Sequence, residues 1–421
     1  MSLTTFVGQK LSFKNETTKP SAGVTIAVAG IAVSFIIMLL SISVVRGFKN
    51  EIINTLCGFN PQISILPPAP ADVDCQISPL RLTQNLKNDI RQSIPEATFS
   101  LTINQPAVFK TDSAFQGVVL RGLQNQDWMF ARDHLIAGNI PSEIPDTARA
   151  VVISKSTSLA LGVDCGQQLI THFFDGNTLR TRKLEVTGIY DSHFDDFDRV
   201  LAFVPIGMLQ EVFSLDSISG TAIEIRGIET ASIPHRSASL YETLLQSRLK
   251  QSLDNDRQSS GGFYRVDNMM QQCALYINWL NLLDTNVIVI IILMACVAGF
   301  TLISSLFIIV LERVRLIGLF KALGATNRQI RSIFIFMIQR LVVRGLIVGN
   351  IIGVGIILLQ SRFHILPLTP DAYYLDYVPM DLSLMPIIVL NLCVIVISAI
   401  ILIVPSCIIS TLSPVKSLRF E

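Results

Sequence analysis

The chain has no nucleotide-binding loop. The pattern G-x-x-x-x-G-K-[ST] occurs nowhere in its 421 residues, so no backbone cradle for phosphates and no magnesium-holding hydroxyl can be assigned. G-x-S-x-G and H-E-x-x-H are also missing, which removes the nucleophile elbow and the zinc-protease helix. The five histidines stand singly, and the seven cysteines contain no C-x-x-C pair, so no metal framework is written into the chain. Lysine and arginine form no tract and the net charge is only +1, which argues against a nucleic-acid surface. Charge of either sign is scarce: 15% of residues are charged and 50% hydrophobic. A mean hydropathy of +0.52 excludes an ordinary soluble globular protein.

What the chain does have is long apolar runs. Crossing a bilayer takes about 20 such residues, and four segments suffice, near 22–45, 286–310, 341–360 and 384–410. The first is too long for the core of a secretory signal, and Arg46, Gly47, Phe48 and Lys49 follow it instead of a small-residue cleavage site, so it reads as a retained span. Basic residues near the span ends set orientation. Lys10, Lys14 and Lys19 precede the first span, Arg313, Arg315, Lys321, Arg328 and Arg331 follow the second, and Lys416 and Arg419 lie in the tail. Asp371, Asp376 and Asp381 occupy the short loop between the third and fourth spans. Both termini are therefore expected in the cytoplasm. Tyr276 and Trp279, and Tyr373, Tyr374 and Tyr377, are expected to anchor the outer interface.

The expected organisation is a cytoplasmic amphipathic segment over 1–21, a first helix over 22–45, and an extracytoplasmic domain over 46–284. A second helix over 285–310, a cytoplasmic corner over 311–332 and a third helix over 333–360 follow. A loop over 361–383, a fourth helix over 384–410 and a cytoplasmic tail over 411–421 complete the chain. At the start, Leu3, Phe6, Val7 and Leu11 alternate with Gln9, Lys10 and Lys14, as in a helix lying in the interface; a disordered tail is the alternative. Within 46–284, β-branched runs at 117–121, 150–154, 184–190, 200–205 and 221–226 read as strands. Helical patterns near 80–93, 206–213 and 238–253 make the domain α+β. Pro67, Pro68 and Pro70 mark a loop, and 254–262 a polar connector before a helix from about Met269. Cys57, Cys75, Cys165 and Cys273 fall in this domain, where disulfides are chemically possible, although small core residues are the better reading; Cys296, Cys393 and Cys407 fall in spans.

Three local patterns invite a function. Asp191, His193, Asp195, Asp196 and Asp198 sit together in D-S-H-F-D-D-F-D. Several carboxylates can hold a hard cation, but the sharp-turn glycine of a calcium loop is missing, so a solvated loop is the favoured reading. From Glu312 to Leu323 good helix formers place Leu316, Leu319, Phe320 and Leu323 on one stripe. Gly324 suits the left-handed position after a helix, and Thr326 with Gln329 forms a capping box for the next. Helix, corner, helix, with an apolar ridge on the cytoplasmic side, is the expectation, against a plain amphipathic connector. In the third span Gly345, Gly349 and Gly353 repeat every fourth residue and would let another helix approach. Arg340 and Arg344 near its start read as residues that reach for the headgroups.

E-R-V-R-L-I-G-L-F-K-A-L-G-A-T-N-R-Q-I, over 312–330, resembles the coupling segment of FtsX-like/MacB-like ABC transporter permeases, especially the lipoprotein-releasing permeases. V-R-G-F-K-N-E-I (45–52), G-V-V-L-R-G-L (117–123), L-E-V-T-G-I-Y (184–190), D-F-D-R-V-L-A-F-V-P (196–205) and S-P-V-K-S-L-R-F-E (413–421) carry the likeness along the chain. The resemblance implies a non-catalytic subunit of four transmembrane helices with a MacB-like periplasmic core domain between the first and second. It further implies that a separate cytoplasmic ATPase binds ATP and magnesium. That ATPase would dock on 312–325 through Glu312, Arg313, Arg315, Ile317, Gly318, Lys321, Ala322, Leu323, Gly324 and Ala325, with Leu316 standing where the family usually has an acid. A second permease, a lipoprotein cargo and a periplasmic carrier are implied as partners in a bacterial inner membrane. The region 171–183, where a carrier-recruiting hairpin would lie, is short. MacB-like efflux and FtsX-like control of a cell-wall hydrolase are the other jobs this family suggests.

Overall fold

The computed structural model describes residues 22–68, 79–141, 144–145, 148–175, 178–254, 263–312 and 314–409. The expectations for 1–21, most of 254–262 and 411–421 lie outside the described residues, as do Pro70, Cys75 and the side chain of Cys407. The chain divides into two units. Ile52–Asn278 with Thr369–Leu375 make an α+β unit, and the remaining described residues make a helical one.

The first helix, α1, is Ala22–Phe59, 38 residues long. It continues well beyond the apolar run at 22–45, because no proline interrupts Arg46–Phe59 and the polar residues there find partners.

In the α+β unit the strands are β1 (Ile63–Leu66), β2 (Leu80–Arg81), β3 (Thr98–Lys110), β4 (Phe115–Leu123), β5 (Leu135–Gly138) and β6 (Ala150–Ser154). They continue with β7 (Gln168–Asp175), β8 (Thr178–Tyr190), β9 (Leu201–Pro205), β10 (Ser219–Gly220), β11 (Ala222–Arg226) and β12 (Arg265–Asn268). Its longer helices are α2 (Gln84–Ser93), α3 (Lys155–Leu161), α4 (Ile206–Phe213) and α5 (Ile233–Asp254). The main sheet runs β12-β1-β11-β3-β4-β9-β6-β8-β5, and β7 pairs both β3 and β8. The circuit β3-β4-β9-β6-β8-β7 therefore closes on itself, with β4·β9 and β6·β8 parallel and the other pairs antiparallel. Closure removes the exposed edges that an open sheet must otherwise protect. Leu101, Ile103, Phe109, Leu120, Val186 and Val204 are buried on one face of the circuit.

Several of these strands were not expected. β3 carries Asn104, Gln105 and Pro106 in mid-course, which read locally as a turn. Pro106 falls between the pairing with β11, which ends at Thr102, and that with β7, which begins at Ala107, so no ladder bond is demanded of it on that edge. The region 171–183 is the β7–β8 hairpin, paired from Gln168↔Glu185 to Asp175↔Thr178.

In the helical unit α6 (Ala274–Glu312) follows, then α7 (Val314–Ala322), α8 (Asn327–Phe363) and α9 (Leu384–Ile409). With α1, three of these make the four helices long and apolar enough to cross a membrane among the described residues. At 1.5 Å per residue α6 is roughly 58 Å long, about twice a hydrocarbon core. Beyond the apolar stretch it stays beside α1: Phe48 meets Trp279 edge-on at 5.7 Å, and Lys49 Nζ lies 2.7 Å from Asp284. Gly345, Gly349 and Gly353 of α8 face Ile31, Phe35 and Leu39 of α1, where an added Cβ would come within 2.9, 2.9 and 2.8 Å of a side-chain carbon. Both sets ascend in steps of four, so the two helices run parallel. α8 and α9 run antiparallel, joined by reciprocal amide bonds between Asn350 and Asn391 (2.8 and 3.1 Å) and by Gln339 with Ser398 (3.3 Å). The loop after α8 is fastened to α1, where Ser43 Oγ donates to the carbonyl of Asp381 at 2.7 Å.

Candidate functional site

The corner after α6 lies in the helical unit. α7 ends in a pair of carbonyl-capping bonds: the N–H of Gly324 reaches Lys321 O at 3.1 Å, and that of Ala325 reaches Phe320 O at 2.9 Å. Gly324 has φ +88°, and open space surrounds the position of an added Cβ, so its backbone rather than crowding demands glycine. Thr326 caps α8 together with Gln329, each accepting from the other's backbone N–H. The expected apolar stripe divides in two. Ile317 is buried and Phe320 packs against the same core, whereas Leu319 and Leu323 remain exposed. The cause is angular: 319 and 323 stand one turn apart, while 320 lies about 100° further round. Glu312, Ala322 and Gly324 are exposed, Lys321 and Ala325 half-buried, and Gly318 buried. Arg313 and the side chain of Arg315, like that of Leu316, lie outside the described residues.

In the α+β unit the end of α1 meets the sheet. The last carbonyls of a helix lack intrahelical partners. Here Arg121 Nη1 of β4 donates to Phe59 O, and Arg226 Nη1 of β11 donates to Cys57 O. Glu224 sits between the two guanidinium groups, 2.5 Å from Arg121 and 3.1 Å from Arg226. Arg121 and Glu224 are 3% and 2% exposed, so each needs the other to be charged there. Burial pulls the Arg121 pKa down, and Glu224 opposes that shift. Gln62, just past the helix, both donates to and accepts from Ile228 at 2.7 Å. Asn60 Nδ2 donates to Cys273 Sγ at 3.2 Å. Sequence reasoning missed this clamp. The available signal was a charge inside each of two apolar strands, V-V-L-R-G-L and A-I-E-I-R, with Glu224 and Arg226 two apart and hence on one face.

The acidic segment is not a plain solvated loop. Phe194 is fully buried and Asp198 2% exposed. Ser192 donates to the Asp198 carboxylate through its N–H (3.1 Å) and its hydroxyl (2.7 Å), while burial raises the Asp198 pKa to about 6. The other acids are dispersed into pairs: Asp191 with Lys155 at 2.9 Å, Asp195 with Arg199 at 3.1 Å, Asp196 accepting from the Tyr276 hydroxyl at 2.7 Å. Among the described residues no three metal-ligating groups come together. Burial works against ionisation of Asp191, yet Lys155 and the His193 N–H hold its pKa below the usual range. Tyr276 and Tyr374 pack in an aromatic cluster with Phe194, and Asp196 accepts from the Tyr276 hydroxyl. Tyr377 packs on His364, with ring centres 3.8 Å apart. Among the described cysteines all are free, and Cys273 is buried while Cys296 and Cys393 are exposed, so they are not uniformly core residues.

Comparison with known proteins gives two family matches. A model described as MacB-like periplasmic core domain matches residues 24–234, half of the chain, and one described as FtsX-like permease C-terminal matches 288–414. The lipoprotein-releasing system transmembrane protein LolC of Xylella fastidiosa (strain 9a5c) is 22% identical over 412 residues, covering 94% of this chain and 93% of that protein. LolC of Neisseria meningitidis serogroup B (strain MC58) is 22% identical over 416 residues, with 94% of each chain covered. The crystal structure of the periplasmic region of MacB from Actinobacillus actinomycetemcomitans aligns with 54% of this chain and 98% of its own at 12% identity and a TM-score of 0.34.

Proposed function

The chain belongs to the permeases in which a MacB-like periplasmic core domain is joined to an FtsX-like C-terminal region, and we propose that it is the membrane subunit through which an ABC transporter releases lipoproteins from the inner membrane. One observation carries the cargo: likeness to proteins named for lipoprotein release runs through 94% of the chain, both units included. The work to be done is large, because a buried acyl chain holds to the bilayer with about 0.8 kcal/mol per CH₂. ATP and its magnesium would be bound by a separate cytoplasmic ATPase. The exposed face formed by Leu319, Ala322, Leu323 and Gly324, fastened beneath by Ile317, is the docking surface in this reading, with Glu312, Arg313, Arg315, Gly318, Lys321 and Ala325 around it. Both termini and the corner would then be cytoplasmic. A second permease completes the membrane part, Gly345, Gly349 and Gly353 knit this chain's own helices together, and a periplasmic carrier takes the cargo. The clamp at Cys57 and Phe59 is the natural point at which a movement of α1 enters the sheet.

The experiment is purification from native membranes in mild detergent, with the companions identified by mass spectrometry. An ATPase together with acylated lipoproteins is the expected result, and an ATPase with an efflux adaptor or a secreted hydrolase would overturn the cargo. Gly324→Pro, which cannot adopt φ +88°, should leave the complex assembled and reduce lipoprotein release at least tenfold. Release at the wild-type rate by that variant would remove the coupling role from the corner.

A further inference from the structure

Residues 369–375 are the middle of the connection between α8 and α9, yet they belong to the α+β unit. Within that unit the ring of Tyr374 stacks on Phe194, with centres 4.5 Å apart and planes 14° from parallel. The two sides of this stack are built differently. Phe194 is fully buried and belongs to a fixed set: its ring meets Phe59 at 6.1 Å, Phe197 stacks on Phe59 at 4.7 Å, and Tyr276 hydrogen-bonds Asp196. Ser154 Oγ donates to the Asp198 carbonyl, and Ser192 to its carboxylate, which ties the same segment to β6. Tyr374 is half-buried, and among the described residues its side chain is held by ring contacts alone, to Phe194 and to Tyr276 at 6.3 Å.

Two further features favour separation. Both His193, next to Phe194, and Tyr374 itself have left-handed backbones, with φ 65° and 61°. That region is disfavoured for residues with a bulky side chain and persists only where contacts over-determine it. Beside the stack lies a cavity of about 790 Å³, bordered by Lys155, Leu159, His193, Arg199, Pro370 and Tyr374. A tyrosine ring has room to leave Phe194 without displacing the packed core.

We propose that Tyr374 is a positioning residue for transport, a ring latch that stacks on Phe194 and swings off it into this cavity once in each cycle. The proposal rests on the transport reading above. The fixed side stays with the sheet, and the moving side is carried by the connection between α8 and α9. Ring stacking suits such a contact, since it is worth less than the buried ion pair at Glu224 and breaks without stranding a charge.

The test uses the whole transporter in proteoliposomes, with its ATPase and an acylated lipoprotein. Phe194→Cys with Tyr374→Cys is oxidised to form one disulfide, the two thiol hydrogens passing to a disulfide-exchange reagent that is itself reduced to its dithiol. Crosslinking should lower lipoprotein release at least tenfold and reduction should restore it, with the two single variants unaffected by the same treatment. Release at an unchanged rate from the crosslinked complex overturns the latch. Tyr374→Ala guards against misfolding of the pair: it should keep the wild-type melting temperature and ATP hydrolysis while release falls several-fold, and Tyr374→Phe should behave as wild type. Equal release by Tyr374→Ala and wild type also overturns the latch. If the wild-type complex hydrolyses ATP but releases no lipoprotein, the transport reading fails instead. The latch is then judged on hydrolysis alone, which the crosslink must change and reduction restore.

Discussion

Helix α1 is held in two unlike ways along its length. Between Ile31 and Leu39 it is met by Gly345, Gly349 and Gly353, and the contact is made of apolar side chains and bare backbone. At Cys57 and Phe59 it is met by Arg121 and Arg226, and the contact is made of charge. The first arrangement suits hydrocarbon, where helix association depends on close packing because lipid tails are as apolar as leucine. Its close approaches are van der Waals contacts, each glycine seated against an apolar side chain. The second fixes the helix end in both position and direction, because a guanidinium group aimed at a carbonyl tolerates little displacement.

Breaking the charged contact should have the largest effect. Glu224→Ala leaves two guanidinium groups beside one another, one of them fully buried, and should destabilise the α+β unit by about 3–5 kcal/mol. Thermal or denaturant unfolding of the full chain measures it, and a loss under 1 kcal/mol would mean that the clamp is not a unit. Next comes Asp198. Its folded pKa of about 6 stands above the ordinary aspartate value of 3.8, so between roughly pH 4 and 6 the folded state holds a proton that the unfolded chain has released. Stability of the α+β unit should therefore fall as pH rises through that window and level off above it, by at most about 3 kcal/mol. Asp198→Asn should flatten the profile; the glycine contact has no titrating group and supplies the pH-independent comparison.

Gly349→Leu would drive a side chain into Phe35, whose Cδ1 lies 2.9 Å from the position of an added Cβ. Overpacking of this kind costs about 1–3 kcal/mol, and Gly355→Leu, with open space around it, should cost close to nothing. If both variants melted alike, the close approach of α1 and α8 would not be what holds them. The smallest effect is expected at the paired amides. Asn391→Leu removes the partner of Asn350, and membrane hydrogen bonds average about 0.6 kcal/mol. A loss of 3 kcal/mol there would erase the contrast between an apolar grip and a charged one.

The parts of the fold that are local were legible in the sequence, and those that depend on distant partners were not. The left-handed cap at Gly324 and the Thr326–Gln329 box are decided within a few residues, and both are found where the pattern puts them. A-V-V-I-S at 150–154 and the helix at 206–213 are short, strongly patterned and correctly bounded. β3 was hidden, because Asn104, Gln105 and Pro106 look like a turn until β4, β7 and β11 are set beside it. The first apolar run gave no hint that α1 continues beyond bilayer length, since polar helix is invisible to hydropathy, whereas the helix expected from about Met269 is found as Met269–Gln272 followed by α6. The Arg121–Glu224–Arg226 clamp joins strands about a hundred residues apart, and the ring cluster of Phe194, Tyr276 and Tyr374 is likewise built from residues far apart in sequence.

Synthesis order follows from the strand pairings. Every strand of the closed circuit, and the edge strand β12 that completes the sheet, precedes α6 in the chain. Nearly the whole α+β unit is thus on hand before its second anchoring helix has left the ribosome, and domains generally fold as units as they emerge. Thr369–Leu375 is the exception. It arrives last, after α8, and must find a seat on a body already folded. A polypeptide stalled between Asn268 and Thr369 would therefore hold a sheet with all its strands and an unfilled place where Tyr374 belongs.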